Sequence, residues 1–117
     1  MPAAQNNLAG ILNAQGDFAQ AQPHFRQAIR IDPNYATVRY NYGRALEEHG
    51  MLDEAERQLR SALKLTPGSA EAATRLGMVL AQKGRWSEAI AQYRRALEIN
   101  PNFEEARMNL DLALRRQ

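Results

Sequence analysis

Three stretches of this chain carry the same punctuation: IRIDPNYATV (residues 29–38), LKLTPGSAEA (63–72) and LEINPNFEEA (97–106). In each, an apolar periodic run stops at a proline (Pro33, Pro67 or Pro101) and a helical pattern resumes soon after. Proline donates no backbone hydrogen bond and pushes the preceding residue out of helical geometry, so each reads as a helix end. Their spacing decides the fold. Sliding the sequence by 34 residues superposes the prolines, and with them Gly16, Gly50 and Gly84, then Ala21, Ala55 and Ala89, then Ala28, Ala62 and Ala96. Such columns in strict register mark an internal repeat, not a coincidence of loop composition.

Each unit reads as two helices. In the second, Val38, Tyr42, Ala45 and Leu46 follow the spacing of one helix face. Gly50 is expected to end that helix, because glycine readily takes the left-handed conformation found just past a helix C-terminus. Asp53 and Ser87 are the expected N-caps of the second helices, with Glu56 completing a capping box. The second helix then buries Ala55, Leu59, Ala62 and Leu63 and stops before Pro67. Asn34, Gly68 and Asn102 are expected to turn the chain, since Asn and Gly tolerate positive φ. Ala9, Gly43 and Gly77 predict a close approach to the second helices, with Leu12, Leu46, Leu80, Phe25, Leu59 and Tyr93 filling the surrounding space. One such hairpin cannot bury its own apolar face, so neighbours must stack.

The pattern Leu-Gly-x-x-Leu, then Gly, then Ala-x-x-x-aromatic-x-x-Ala, then Pro, resembles the tetratricopeptide repeat (TPR). The resemblance covers nearly the whole chain: repeats at about 2–35, 36–69 and 70–103, then a capping helix over about 103–117, all within one domain. It implies an all-α fold, a right-handed α-solenoid of antiparallel helix hairpins with about seven helices. This sequence departs from the pattern in places. Gln5, Arg39, Ala73 and Arg107 stand where the family often has tryptophan, so that packing must be absent or supplied by neighbours. Pro23 lies in the second helix of unit one. With Ala19 as the cap, it predicts a loosened or bent start, not a broken helix. Unit one also has Gly10 mid-helix and no N-terminal cap, and is expected to be the least stable. In the last helix Ala106, Leu110, Ala113 and Leu114 keep the apolar stripe. Asp111 replaces the small residue of earlier units, a charge tolerable only if no second helix packs back.

Composition narrows the function. The 117 residues are 44% hydrophobic and 24% charged with no cysteine, which removes disulfide and thiol chemistry. Net charge is +2 and opposite charges are interspersed, as in Glu54, Glu56, Arg57 and Arg60. This is a solvated helical surface and not a nucleic-acid stripe, so no nucleic-acid partner is expected. No apolar run approaches the length of a membrane span, so no membrane insertion is expected. Compartment is not fixed by the sequence, with cytoplasm favoured. His24 and His49 lack ligand-spaced companions and read as solvated helix-end residues, so no metal is assigned. Glu47-Glu48 and Glu104-Glu105 read as surface charge. Trp86 shares a column with Phe18 and Leu52 and reads as structural. No nucleophile or phosphate-binding motif stands out, and PGSAEA is accounted for as turn and N-cap. No enzyme activity and no cofactor are expected.

Function then has to come from shape. The resemblance implies a protein or peptide ligand in a concave groove built by the first helices. Side chains between the core positions should line it: Asn6, Gly10 and Asn13 in unit one; Thr37, Tyr40, Asn41, Arg44 and Glu48 in unit two; Glu71, Thr74, Arg75, Met78 and Gln82 in unit three; Met108, Leu112 and Arg115 in the last helix. Tyr40, Met78, Met108 and Leu112 suit an adaptable apolar track. Arg44, Arg75 and Asn41 suit a backbone or carboxylate. The carboxylate clamp of some TPR co-chaperones is matched only at Asn41 and Arg75. Asn6 replaces a lysine, Gly10 an asparagine, and Glu71 a lysine, the last reversing charge where an anion would sit, so the clamp is not expected. Two further readings stand beside the interaction module. One is the targeting domain of a larger enzyme such as a protein glycosyltransferase; a start near a repeat boundary fits an excised fragment as well as a small whole protein. The other is self-association through the outer face of the first helix.

Overall fold

The computed structural model describes residues 1–117 and contains seven α-helices and no strand: α1 (Pro2–Ala14), α2 (Phe18–Ile31), α3 (Ala36–Glu48), α4 (Leu52–Leu65), α5 (Ala70–Gln82), α6 (Trp86–Ile99) and α7 (Glu104–Arg116). The fold is an all-α solenoid, 41 × 25 × 20 Å in extent. No helix is long and apolar enough to cross a membrane.

Each first helix ends as its glycine predicts. Gly16, Gly50 and Gly84 have φ of 83°, 74° and 77°. At the first, Asp17 N donates to Leu12 O at 2.9 Å and Gly16 N to Asn13 O at 3.0 Å. The same pair of bonds recurs at Gly50 and Gly84. This is a Schellman closure, which satisfies otherwise orphaned carbonyls and reverses the chain into the second helix. The proline-containing turns work differently from expectation. No residue other than those three glycines has positive φ, so Asn34, Gly68 and Asn102 do not. Instead the residue before each of two prolines makes the turn. Asp32 Oδ1 accepts from Asn34 N at 3.1 Å, and Asn100 Oδ1 from Asn102 N at 3.2 Å. An Asx turn supplies locally what the left-handed backbone would otherwise do.

The N-caps need correction. The second helices start at Phe18, Leu52 and Trp86, so Asp53 and Ser87 lie inside them. Only Asp17 caps by side chain, accepting from Gln20 N at 3.1 Å; Met51 and Arg85 hold the equivalent positions without a side-chain bond. The Asp53–Glu56 capping box does not form, because both carboxylates take Lys83 instead. With Asp17 as cap, Pro23 lies deeper in α2 than expected, yet the helix runs unbroken from Phe18 to Ile31. Ser69 does cap α5, accepting from Ala72 N at 3.1 Å.

Each hairpin is zipped by a small residue against a large one. A Cβ built on Gly43 would fall 2.7 Å from Leu59 Cγ, and one on Gly77 would fall 2.5 Å from Tyr93 Cε1. These are closer than carbon atoms can sit, so a larger residue at either would force Leu59 or Tyr93 to move. Asp111, in the same column, is exposed, and no helix packs over it. Consecutive hairpins stack through α2–α3, α4–α5 and α6–α7. The first helices also approach one another, α1 to α3, α3 to α5 and α5 to α7, whereas α2, α4 and α6 do not. The stack therefore bends toward the first helices and opens on the side of the second.

Candidate functional site

On the inner side, α1, α3 and α5 are tied by hydrogen bonds between residues one repeat plus one position apart. Asn41 Nδ2 donates to Asn6 Oδ1 at 3.2 Å, Asn13 Nδ2 to Glu48 Oε1 at 3.3 Å, and Gln82 Nε2 to Glu47 Oε2 at 2.7 Å. This ladder fixes the residues expected to line the groove. It also uses up part of their polar capacity, which bears on what they can offer a ligand.

Two clefts lie along this side. The larger, about 430 Å³, takes Thr37, Tyr40, Asn41 and Arg44 from α3, Glu71 from α5, and Thr66 and Ser69 from the turn between repeats. The smaller, about 260 Å³, takes Gly10 and Asn13 from α1 with Asn41, Arg44 and Glu48. Asn41 and Arg44 line both, so the clefts form one track from α1 across α3 to the start of α5. Arg44 is exposed and makes no ion pair, leaving its guanidinium free for a ligand. A third pocket, about 250 Å³, lies beside α7, where Leu112, Ala81, Trp86 and Tyr93 present apolar surface next to Asn109 and Arg116. Leu112 and Met108 are 56% and 61% exposed, so α7 adds exposed apolar surface at this end. Burial, reinforced by the Glu47 and Glu105 carboxylates, pushes the Tyr93 hydroxyl up to about 12 and keeps it a neutral donor at ordinary pH.

Not every candidate is placed as expected. Thr74 is 1% exposed and turns its hydroxyl onto the Ala70 carbonyl at 2.8 Å, so it is a packing residue. Asn6 is also buried, reaching the groove only through Asn41. Glu71, Met78 and Gln82 retain exposed or half-buried side chains, and Arg115 is exposed. Arg75 is present but already engaged. Its Nη1 donates to Glu47 Oε1 at 3.1 Å, with side-chain exposures of 19% and 7%. Burial alone would lower the Arg75 guanidinium, but the Glu47 carboxylate and the nearby Tyr40 hydroxyl outweigh it and hold it above its usual value.

Glu47 is thus no surface charge. It is the buried centre of a Tyr40–Arg75–Gln82 cluster that the sequence reading missed. A signal existed: Glu47 shares its column with Asn13, itself read as groove-facing. His24 is corrected too. It lies mid-helix, half-buried, its Nδ1 2.6 Å from Gln5 Oε1. Phe18 stacks on His49 at the end of α3, ring centroids 4.2 Å apart. No grouping of histidine and carboxylate side chains has the geometry to hold a metal ion.

A tetratricopeptide repeat model matches residues 12–78, and a second TPR repeat model matches residues 77–117. No curated protein shows a significant sequence match. Among solved structures, YrrB, "a TPR protein with an unusual peptide-binding site", is similar at 26% identity and TM-score 0.86, over 92% of this chain and 55% of that one. Pseudomonas aeruginosa pilF is similar at 25% identity and TM-score 0.92, over 98% of this chain and 53% of that one. The chain thus spans about half the length of these two relatives. The first TPR of Spaghetti (RPAP3), bound to the HSP90 peptide SRMEEVD, superposes with TM-score 0.94 over 97% of this chain and 90% of that one, at 22% identity, a likeness of fold alone. Domains of this kind are in general non-catalytic interaction modules. With one family model over more than half of its length and paired helices in the same register, the chain belongs to the tetratricopeptide-repeat family.

Proposed function

We propose that the chain is a non-enzymatic protein-interaction module that binds an extended peptide along the inner side of α1, α3, α5 and α7. Repeats at about 2–35, 36–69 and 70–103, with α7 as closing helix, act as one unit. What supports this most is the continuous track of two clefts sharing Asn41 and Arg44, with Arg44 the unpaired cation at its centre. The peptide-binding descriptions of YrrB and of the Spaghetti TPR agree with such a use of the fold. The ligand runs from the polar track at Tyr40 and Arg44 toward the apolar surface at Met108 and Leu112. Because Glu47 neutralises Arg75 and Glu71 lines the larger cleft, the groove does not act as a carboxylate clamp. Affinity capture with this domain as bait, repeated with Tyr40→Ala and Arg44→Ala, tests the assignment. Loss of the captured partner is expected from both, with unchanged thermal stability in Arg44→Ala and some loss in Tyr40→Ala, whose side chain packs on the core beside Arg75; retention of the partner by both variants overturns the groove.

A second reading, self-association, has its own observation. Leu8 and Ile11 on α1 are 41% and 56% exposed, while Tyr42 and Leu76, and Ala45 and Val79, in the same columns, are buried by the preceding repeat. Concentration-dependent light scattering tests it; a strict monomer at high concentration removes it.

A further inference from the structure

The second helices carry a feature that the groove does not explain. Where α2, α3 and α4 meet, Tyr42 projects outward between the second helices. Its hydroxyl accepts from Gln22 Nε2 at 2.9 Å and Arg26 Nε at 3.1 Å and donates to Glu54 Oε2 at 3.2 Å. Beside it, Gln58 Oε1 accepts from Arg39 Nη1 at 3.1 Å. The space is filled and its polar atoms are satisfied.

One repeat later the same place is less completely filled, with Arg60 paired to Glu56 and Glu88 where the Tyr42 hydroxyl network stood. Leu76 stands in the column of Tyr42, and Ala73 in the column of Arg39. Phenol and guanidinium are both gone. Gln92, in the column of Gln58, is left with Oε1 buried and without a hydrogen-bond partner. A buried acceptor without a donor costs roughly 1–3 kcal/mol, so an N–H or O–H donor entering beside Gln92 is favoured. A cleft of about 400 Å³ opens here, lined by Leu63, Lys64, Pro67, Leu76, Gln92 and Arg95. Arg60 stands at its edge, held at 2.9 Å by Glu56. No carboxylate lines the cleft, unlike either cleft of the inner track. Lys64 is exposed and without an ion pair, and Arg95 Nη2 donates only to the Pro67 carbonyl, at 3.3 Å. The floor is apolar, with Leu63 and Leu76 4% and 1% exposed.

Three chemistries therefore converge: free cations at the rim, an aliphatic floor, and an amide acceptor, Gln92 Oε1, beside it. A simple anion would satisfy only the first. A peptide satisfies all of them, through a side-chain carboxylate, an apolar side chain and a backbone amide. We propose that the cleft between α4 and α6 is a second binding site, taking a short segment of a partner protein in which acidic and apolar residues alternate. The site shares no residue with the inner track and does not depend on how that track is used.

The probe is a short capped peptide alternating Glu and Leu, followed by heteronuclear NMR on the whole chain. The controls are a Lys–Leu peptide of the same length and inorganic phosphate. The Glu–Leu peptide is expected to shift the Gln92 side-chain amide and the Leu63 and Leu76 methyl signals, with affinity falling as salt rises. Arg95→Ser and Lys64→Ser, both at the rim, each weaken binding about tenfold, the scale of one charge-assisted hydrogen bond. Leu76→Tyr refills the cleft as Tyr42 does, without changing charge, and abolishes binding. Arg44→Ala leaves the shifts at Gln92, Leu63 and Leu76 unchanged. Equal binding of the Lys–Leu peptide, the same shifts with phosphate alone, or shifts confined to Tyr40 and Arg44 would each overturn the proposal. So would full affinity in a Leu76→Tyr protein that circular dichroism shows to be folded. If that variant does not fold, unchanged affinity in the two rim variants overturns it instead.

Discussion

The buried carboxylate of Glu47 gives the sharpest test of how this groove is built. In Glu47→Gln the side chain keeps its shape but loses its charge, so Arg75 keeps a hydrogen-bond acceptor and loses its counter-ion. Breaking a fully buried pair from one side costs about 3–5 kcal/mol. Here Arg75 is 19% exposed and its charge can partly rehydrate, while the substituted amide must still accept from both Arg75 and Gln82. Those two corrections act in opposite directions, and a loss of about 2–3 kcal/mol is expected. Urea unfolding followed by far-UV circular dichroism measures it, as a lower midpoint with an unchanged slope. Arg75→Gln and the double variant complete the cycle, and a coupling energy of about 2 kcal/mol is expected between the two sites. The same substitution should strengthen binding of acidic peptides to the groove, because Arg75 loses its internal partner. A loss under about 0.5 kcal/mol, or a cycle without coupling, would refute the view that Glu47 is a buried structural charge.

Three further outcomes are expected. Glu56 joins α4 to the turn before α6 by accepting from Lys83 at 2.9 Å, Arg85 at 2.8 Å and Arg60 at 2.9 Å. Burial opposes its ionisation, yet Lys83, Arg60 and Arg85 hold its carboxyl down at about 2 against an ordinary 4.5. Because the folded value is depressed, the stabilisation is complete above the ordinary value and disappears as pH falls through about 2. Glu56→Gln should therefore cost about 2–3 kcal/mol at neutral pH, and its difference from the parent should close between pH 4.5 and 2 in acid-unfolding curves; a gap independent of pH contradicts this. Gly77→Ala should lose about 1–2 kcal/mol, since its Cβ meets the Tyr93 ring at 2.5 Å, while Gly10→Ala, with nothing within 4 Å, should gain about 0.5–1 kcal/mol; thermal denaturation showing the same sign for both would refute the contact. Amide exchange should be faster in α1 than in α3 or α5, because α1 buries only Asn6 and Ala9 whereas α5 buries seven residues; slower exchange in unit one would refute it.

What the sequence reveals and conceals follows from the kind of interaction each position makes. Pro33, Gly50, Gly43 and Gly77 were legible because their roles depend on backbone conformation or on missing volume, both properties of the residue itself. The N-cap column runs Asp17, Met51, Arg85, and only its first member has capping chemistry. Asp53 and Ser87, which do have it, lie two residues past the true cap positions, inside the helices. Glu47 was hidden for a different reason. Its burial depends on Arg75 and Gln82, 28 and 35 residues away, and only an explicit comparison of successive repeats brings them together.

That comparison also marks where one repeat stops resembling the next. Gln5 with His24 and Arg39 with Gln58 make the same contact between first and second helix, whereas Ala73 leaves Gln92 with nothing. On the inner side the row Asn13, Glu47, Ala81 passes from a polar ladder, through a buried ion pair, to an open pocket beneath Leu112. Stability of a stacked array is roughly a sum over equivalent neighbours, so any column free to be identical is under no local pressure to differ. The columns that break register at the α4–α6 cleft and along the inner track are the ones whose chemistry the stack leaves unfinished. A ligand that completes either surface must therefore recognise one particular boundary of the array, and Leu76→Tyr and Arg44→Ala report on the two boundaries separately.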